Sequence, residues 1–169
     1  MIAGLRIVSL TSQHDRSRFS CGRSELDQYF KERATQDIKR RMSNCFVACD
    51  DQGQIAAYYT LAATSLPLLE LSDATKKRLP RYELLPAVLI GRLAVDIKFQ
   101  GQRLGGALIL DAAARAARAE PAVFALIVDA KDEAAKGFYQ HLGFQPFNSK
   151  PKAMFLPLTT AVVTLGIVL

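Results

Sequence analysis

Apolar positions change period several times along the chain, and each change marks an element. Ile2 to Leu10 alternates loosely and is rich in Ile, Leu and Val, which predicts an opening strand. His14 to Phe19 is polar and basic. Beyond it Ser24 offers an N-cap, Glu25 and Asp27 sit in a first turn, and Leu26, Tyr29, Phe30 and Ala34 recur at three- and four-residue steps. One amphipathic helix is predicted, ending at Lys39-Arg40-Arg41, where cations suit the negative end of the helix dipole.

Cys45 to Cys49 and Ile55 to Ala63 are two apolar runs around Asp50-Asp51-Gln52-Gly53, a loop with the turn residues of an antiparallel hairpin. Pro67, Pro80 and Pro86 break the regularity of Ser65 to Pro86, which leaves room for a short helix over Ser72 to Arg78. Ala87 to Val95 is apolar apart from Gly91 and Arg92. A loop from Asp96 to Arg103 follows, then an alanine-rich helix to Ala119. Val123 to Val128 reads as a buried strand, Asp132 caps a helix that ends near Gly143, and Met154 to Leu158 supplies a final strand with a loose apolar tail behind it. The C-terminal half is thus β-α-β-α-β, and nothing in the chain reads as a repeat or a linker.

At 169 residues the length suits one domain, residues 1–169, and a 50% hydrophobic composition is enough for a buried core. Residues 154–169 are uncharged but too few for a spanning helix, and Pro157 interrupts them, so no membrane role is expected. Met1 to Leu10 lacks the pattern of a signal peptide, which makes a cytoplasmic location the simplest expectation. Cys21, Cys45 and Cys49 are odd in number and lack zinc spacing; they are expected to be reduced, with no metal. The net charge of +6 favours anionic partners, nucleic acid and phosphate-rich cofactors among them.

The segment that carries chemistry is Gln100-Gly101-Gln102-Arg103-Leu104-Gly105-Gly106-Ala107, between a strand and a helix. Free backbone N–H groups and the positive helix end can hold phosphate there, and glycine lets it approach. The segment matches neither the P-loop nor the Gly-x-Gly-x-x-Gly dinucleotide pattern. No Ser/His/Asp or Cys/His nucleophile system is visible, and His14 and His141 read as surface or helix-end residues.

Leu93-Ala94-Val95, the Gln100 to Ala107 loop, and Phe138-Tyr139 followed by Gly143-Phe144 resemble the GNAT acyltransferase superfamily over Leu89 to Phe144. Cys21-Gly22, Leu26-Asp27, Tyr58-Tyr59-Thr60-Leu61, Leu79-Pro80-Arg81-Tyr82 and Gly91-Arg92-Leu93-Ala94-Val95-Asp96 are similar to the tRNA-acetylating toxins of toxin-antitoxin pairs. The resemblance implies a single mixed α/β (α+β) GNAT domain, with a twisted, mostly antiparallel sheet, a splayed central strand pair and helices on both faces. It also implies acetyl-CoA as co-substrate, with pantetheine along Leu93, Ala94 and Val95 and pyrophosphate at Gln100, Gly101, Gln102, Arg103, Leu104, Gly105 and Gly106. The family loop reads Gln/Arg-x-x-Gly-x-Gly/Ala. Started at Gln100, its first glycine position is filled by Arg103; started at Gln102, it fits Gly105 and Ala107.

By the same resemblance Tyr139 is the general acid for the departing thiolate, and Asp132 lies where the superfamily often has Asn, although a helix cap alone accounts for it. The expected acceptor is the α-amine of an aminoacyl-tRNA. Such an amine has a reference pKa near 7.7 to 8.0, against about 10.4 for lysine, so it needs less general-base help. A small-molecule or protein amine is the alternative acceptor. Lys39, Arg40, Arg41, Lys77, Arg78 and Arg92 are candidate RNA contacts, or only solvated charges. The expected partners are a ribbon-helix-helix antitoxin and a second copy of the chain.

Overall fold

In the computed structural model residues 4–169 are described. Among the described residues seven strands, β1 (Arg6–Ser9), β2 (Asn44–Cys49), β3 (Ile55–Pro67), β4 (Leu84–Val95), β5 (Ala125–Asp129), β6 (Gln145–Pro146) and β7 (Ala153–Pro157), follow the sheet order β1-β2-β3-β4-β5-β7-β6, mostly antiparallel, and the chain divides into two compact units. The first unit comprises Met1–Ala62 and Gly91–Ala112, the second Ala63–Ile90 and Ala113–Leu169.

In the first unit β1 (Arg6–Ser9) pairs antiparallel with β2 (Asn44–Cys49), which pairs antiparallel with the first part of β3 (Ile55–Pro67), as far as Leu61. Ile2 and Ala3, where the opening strand was expected to begin, lie outside the described residues. The β2–β3 turn is built as its sequence predicts: the Asp50 carboxylate accepts the N–H groups of Gln52 (3.0 Å) and Gln54 (2.9 Å), and Gly53 supplies φ +81.

The predicted first helix is two helices, α1 (Ser24–Glu32) and α2 (Ala34–Lys39), interrupted at Arg33, where φ is −121. The Phe30 carbonyl accepts a hydrogen bond from the Arg16 guanidinium at 2.6 Å, and that oxygen is the one the Ala34 N–H uses in an unbroken helix. Arg23, which makes no side-chain capping bond, holds the N-cap position expected of Ser24. Asp27 reaches back instead and accepts the Cys21 N–H at 2.9 Å. The buried face of α1 presents Tyr29 and Phe30 to a core that includes Phe19, Cys45, Val47, Tyr58 and Ala94. Phe30 stacks on Tyr58 at 4.2 Å, and Phe19 meets both rings edge-on. Such pairs add about 0.5–1.5 kcal/mol each beyond the area they bury. All three cysteines are buried and free, and burial pushes the Cys45 thiol up to about 12.

In the second unit α3 (Asp73–Lys76) is capped by Ser72, whose hydroxyl accepts the Thr75 N–H. The first residues of β4 (Leu84–Val95) pair parallel with β5 (Ala125–Asp129), from Ala87↔Ala125 to Ile90↔Val128. That ladder ends at Ile90, while β4 itself runs on to Val95. β7 (Ala153–Pro157) pairs antiparallel with β5 and with the short β6 (Gln145–Pro146). Leu66, Leu71, Leu85, Ile127 and Phe155 fill the core. The expected loose tail is ordered as α6 (Leu158–Thr164), and the Arg118 guanidinium binds the Val168 carbonyl beyond it. Among the described residues no helix is long and apolar enough to cross a membrane.

Candidate active site

The glycine loop starts from a fixed base. Asp96, 4% exposed at the end of β4, accepts the N–H groups of Ser20 (3.0 Å) and Lys98 (2.9 Å) and caps the 3-10 turn Ile97–Phe99. The Gln100 side-chain amide donates to the carbonyls of Cys21 (3.1 Å) and Val95 (3.0 Å). Gln100 therefore holds the loop by its side chain, a role that the backbone reading of this segment missed. Asp96 was missed as well. Its signal was an aspartate directly before a turn, a position where the side chain bonds backbone two residues on.

Two residues of the loop have left-handed backbone, Gly101 with φ +83 and Arg103 with φ +61. Arg103 adopts the conformation that glycine takes without steric cost, at the place where the pattern started from Gln100 has its first glycine. This matches the Gln100 register. α4 (Leu104–Ala117) begins at the next residue, anchored by the buried Leu104. The N–H groups of its first turn, from Leu104, Gly105 and Gly106, have no acceptor within the helix and lie at its positive end. A Cβ at Gly101 or Gly106 meets no heavy atom within 4 Å, so the approach to this backbone is open. An anionic pyrophosphate fits these groups, and the exposed Arg103 adds a cation beside them.

Upstream on β4, Arg92 is not a free surface charge. Its guanidinium carbon lies 3.6 Å from the centroid of the Tyr29 ring, and the Arg92 backbone N–H donates to the Thr60 hydroxyl at 3.1 Å. Tyr29 is 4% exposed and donates its hydroxyl to Asp37 at 2.7 Å, a bond that joins α1 to α2. The remaining candidate RNA contacts are exposed: Lys39, Arg40 and Arg41 follow one another at the end of α2, and Lys77 and Arg78 follow α3 in the second unit.

Tyr139 belongs to α5 (Glu133–His141) in the second unit. Its ring is half-buried between Phe138 and Phe144, each 5.3 Å away, and burial raises its phenol above the ordinary value, so it stays protonated. Asp132 caps the same helix and accepts the Ala135 N–H at 2.8 Å. After α5, Gly143 turns the chain with φ +101. Among the described residues no group of three or more His, Cys, Asp or Glu side chains is arranged to hold a metal.

Residues 41–146 match the family model described as an acetyltransferase (GNAT) domain. A tRNA-acetylating toxin of Mycobacterium tuberculosis (strain ATCC 25618 / H37Rv) is 31% identical over 159 residues, 93% of this chain and 94% of its own. The structure of AtaT complexed with acetyl-methionyl-tRNAfMet superposes with a TM-score of 0.85 at 28% identity, over 95% of this chain and 99% of the other. A mutant AtaT toxin bound to the C-terminus of the antitoxin AtaR and to acetyl-CoA gives 0.76 at 26% identity, over 96% and 98%. With the strand, the glycine loop and the Phe-Tyr helix in these places, the chain belongs to the GNAT acetyltransferase family.

Proposed function

We propose that this chain is a toxin acetyltransferase that moves acetyl from acetyl-CoA to the α-amine of an aminoacyl-tRNA. The observation that carries the reading is the likeness, over nearly the whole length of both chains, to a toxin solved with an acetylated aminoacyl-tRNA. The net charge of +6 suits an RNA substrate. Acylation turns the attacking amine into an amide, whose nitrogen cannot attack in peptide bond formation, and translation stops.

Acetyl-CoA supplies an acetyl thioester. The edge of β4 at Leu93, Ala94 and Val95, beyond the end of the β4–β5 ladder, receives its pantetheine arm by backbone hydrogen bonds. The α4 N-terminus, Gly101 to Gly106 and Arg103 hold its phosphates, and Asp132 serves mainly as a helix cap. Tyr139 keeps a proton on its phenol oxygen and gives it to sulfur as the C–S bond breaks and the C–N bond forms; the amine releases one proton to water, and water returns one to the phenolate. Residues 1–169 act as one GNAT domain in the cytoplasm and pair as a homodimer. A ribbon-helix-helix antitoxin with an acidic segment restrains the toxin by covering its basic residues.

Incubation with labelled acetyl-CoA and charged tRNA tests the reading, and label on the aminoacyl group of the tRNA is the expected result. Labelling of a polyamine or a peptide, with none on charged tRNA, selects a small-molecule or protein amine instead.

A further inference from the structure

β4 carries a cation, Arg92, eight residues before Gln100 at the start of the glycine loop. Side chains alternate along a strand, so Arg92 shares a face with Ala94, and Ala94 is buried in the core that contains Tyr29. The Arg92 guanidinium lies over the Tyr29 ring at 3.6 Å, its backbone N–H is bound to Thr60, and Tyr29 is fixed by Asp37. Gly91 tightens this arrangement, since a Cβ there would stand 3.2 Å from the Thr60 hydroxyl. Among the described residues Arg92 makes no ion pair. A guanidinium with one face on a ring still has its N–H edge, a fork that matches phosphate oxygens.

Direction along β4 tells what meets that edge. The phosphates of acetyl-CoA belong to the loop after Val95 and its arm to Val95, Ala94 and Leu93, so the thioester end points toward Arg92. An aminoacyl ester attacking there brings the 3′ end of its RNA with it. From this we infer that Arg92, braced on Tyr29, binds the last phosphodiester of the acceptor RNA and so places the α-amine at the thioester. This rests on the aminoacyl-tRNA reading above. Arg92 thereby differs from the exposed Lys39, Arg40 and Arg41, which meet RNA phosphate without regard to position.

The test measures binding of tRNA with an intact 3′ end and of the same tRNA shortened by its 3′-terminal nucleotide, which removes that phosphodiester. Wild type binds the intact RNA more tightly. Arg92→Gln and Arg92→Lys each lose about 10-fold on the intact RNA and little on the shortened one. Their acetyl-CoA Kd matches wild type; Arg92→Gln lowers the urea midpoint through the lost stack on Tyr29, so RNA binding is compared in urea-free buffer where both variants are folded. Equal losses on both RNAs overturn the terminal placement, and wild-type affinity in Arg92→Lys overturns the fork. A fall in acetyl-CoA affinity makes Arg92 a structural residue of the cofactor strand. Failure of the aminoacyl-tRNA reading itself appears separately, as wild type that acetylates no charged tRNA.

Discussion

Arg103 holds a left-handed backbone conformation, φ +61, that costs a residue with a Cβ about 1–2 kcal/mol and glycine almost nothing. Arg103→Gly is therefore expected to stabilise the chain by about 1 kcal/mol while it raises the acetyl-CoA Kd about fivefold through the lost cation. Urea denaturation and calorimetry read the two effects separately, and unchanged cofactor affinity would leave the side chain without a role. Tyr139→Phe removes only a hydroxyl from a ring packed between Phe138 and Phe144. Turnover should fall by about 100-fold with folding and acetyl-CoA binding intact, because acid catalysis of this kind contributes about 10²–10⁴. Steady-state kinetics with charged tRNA, beside a thermal melt, decides it; full activity makes Tyr139 a packing residue. The glycine loop and the Phe-Tyr pair were legible in the sequence because family spacing marks them. The left-handed turn at Arg103 and the stacking of Arg92 on Tyr29 were not, since one is a backbone state that arginine seldom adopts and the other joins residues far apart in sequence.

At the scale of elements, short-range signals read well and competition from distant residues did not. Asp132 was expected to cap α5, and it does, by a 2.8 Å bond to the Ala135 N–H. Asp132→Ala should cost about 1 kcal/mol of stability, seen as a lower urea midpoint with an unchanged slope. A midpoint equal to wild type would show that the cap adds nothing to α5. The β2–β3 hairpin was legible for the same reason, being set by the Asp50 side chain within a few residues, whereas the short helix expected over Ser72 to Arg78 is only Asp73–Lys76, with Ser72 as its cap. The break between α1 and α2 was hidden because no glycine or proline marks it, and the partner at the Phe30 carbonyl comes from Arg16, 14 residues upstream. α6 was hidden because Thr159, Thr160, Val162, Val163 and Thr164 are β-branched and favour a strand by propensity alone, while a helix there buries Leu158 and Ala161.

For the whole molecule, the buried ionisable groups set the response to alkali. Burial raises the Tyr58 and Tyr139 phenols above 10.0 and the Cys45 thiol from 9.0 to about 12. Each is neutral when folded, and the folded chain keeps these protons at pH values where the unfolded chain has released them. Their contribution to stability is complete below about pH 9 and falls as pH rises from there through about 12. Urea midpoints measured from pH 7 to 11 should be level with respect to these groups at first and decline above about 9; a level profile to the end would mean that the thiol and phenols are solvated. The same cysteines have a further use. Cys21, Cys45 and Cys49 all fall in the unit formed by Met1–Ala62 and Gly91–Ala112, and the other unit has none. Native thiols this well buried are inert to alkylating reagents until the chain around them opens. Alkylation rates therefore count openings of the glycine-loop unit alone, whereas amide exchange counts those of both, and the difference between the two clocks isolates the motions of the unit that carries Tyr139.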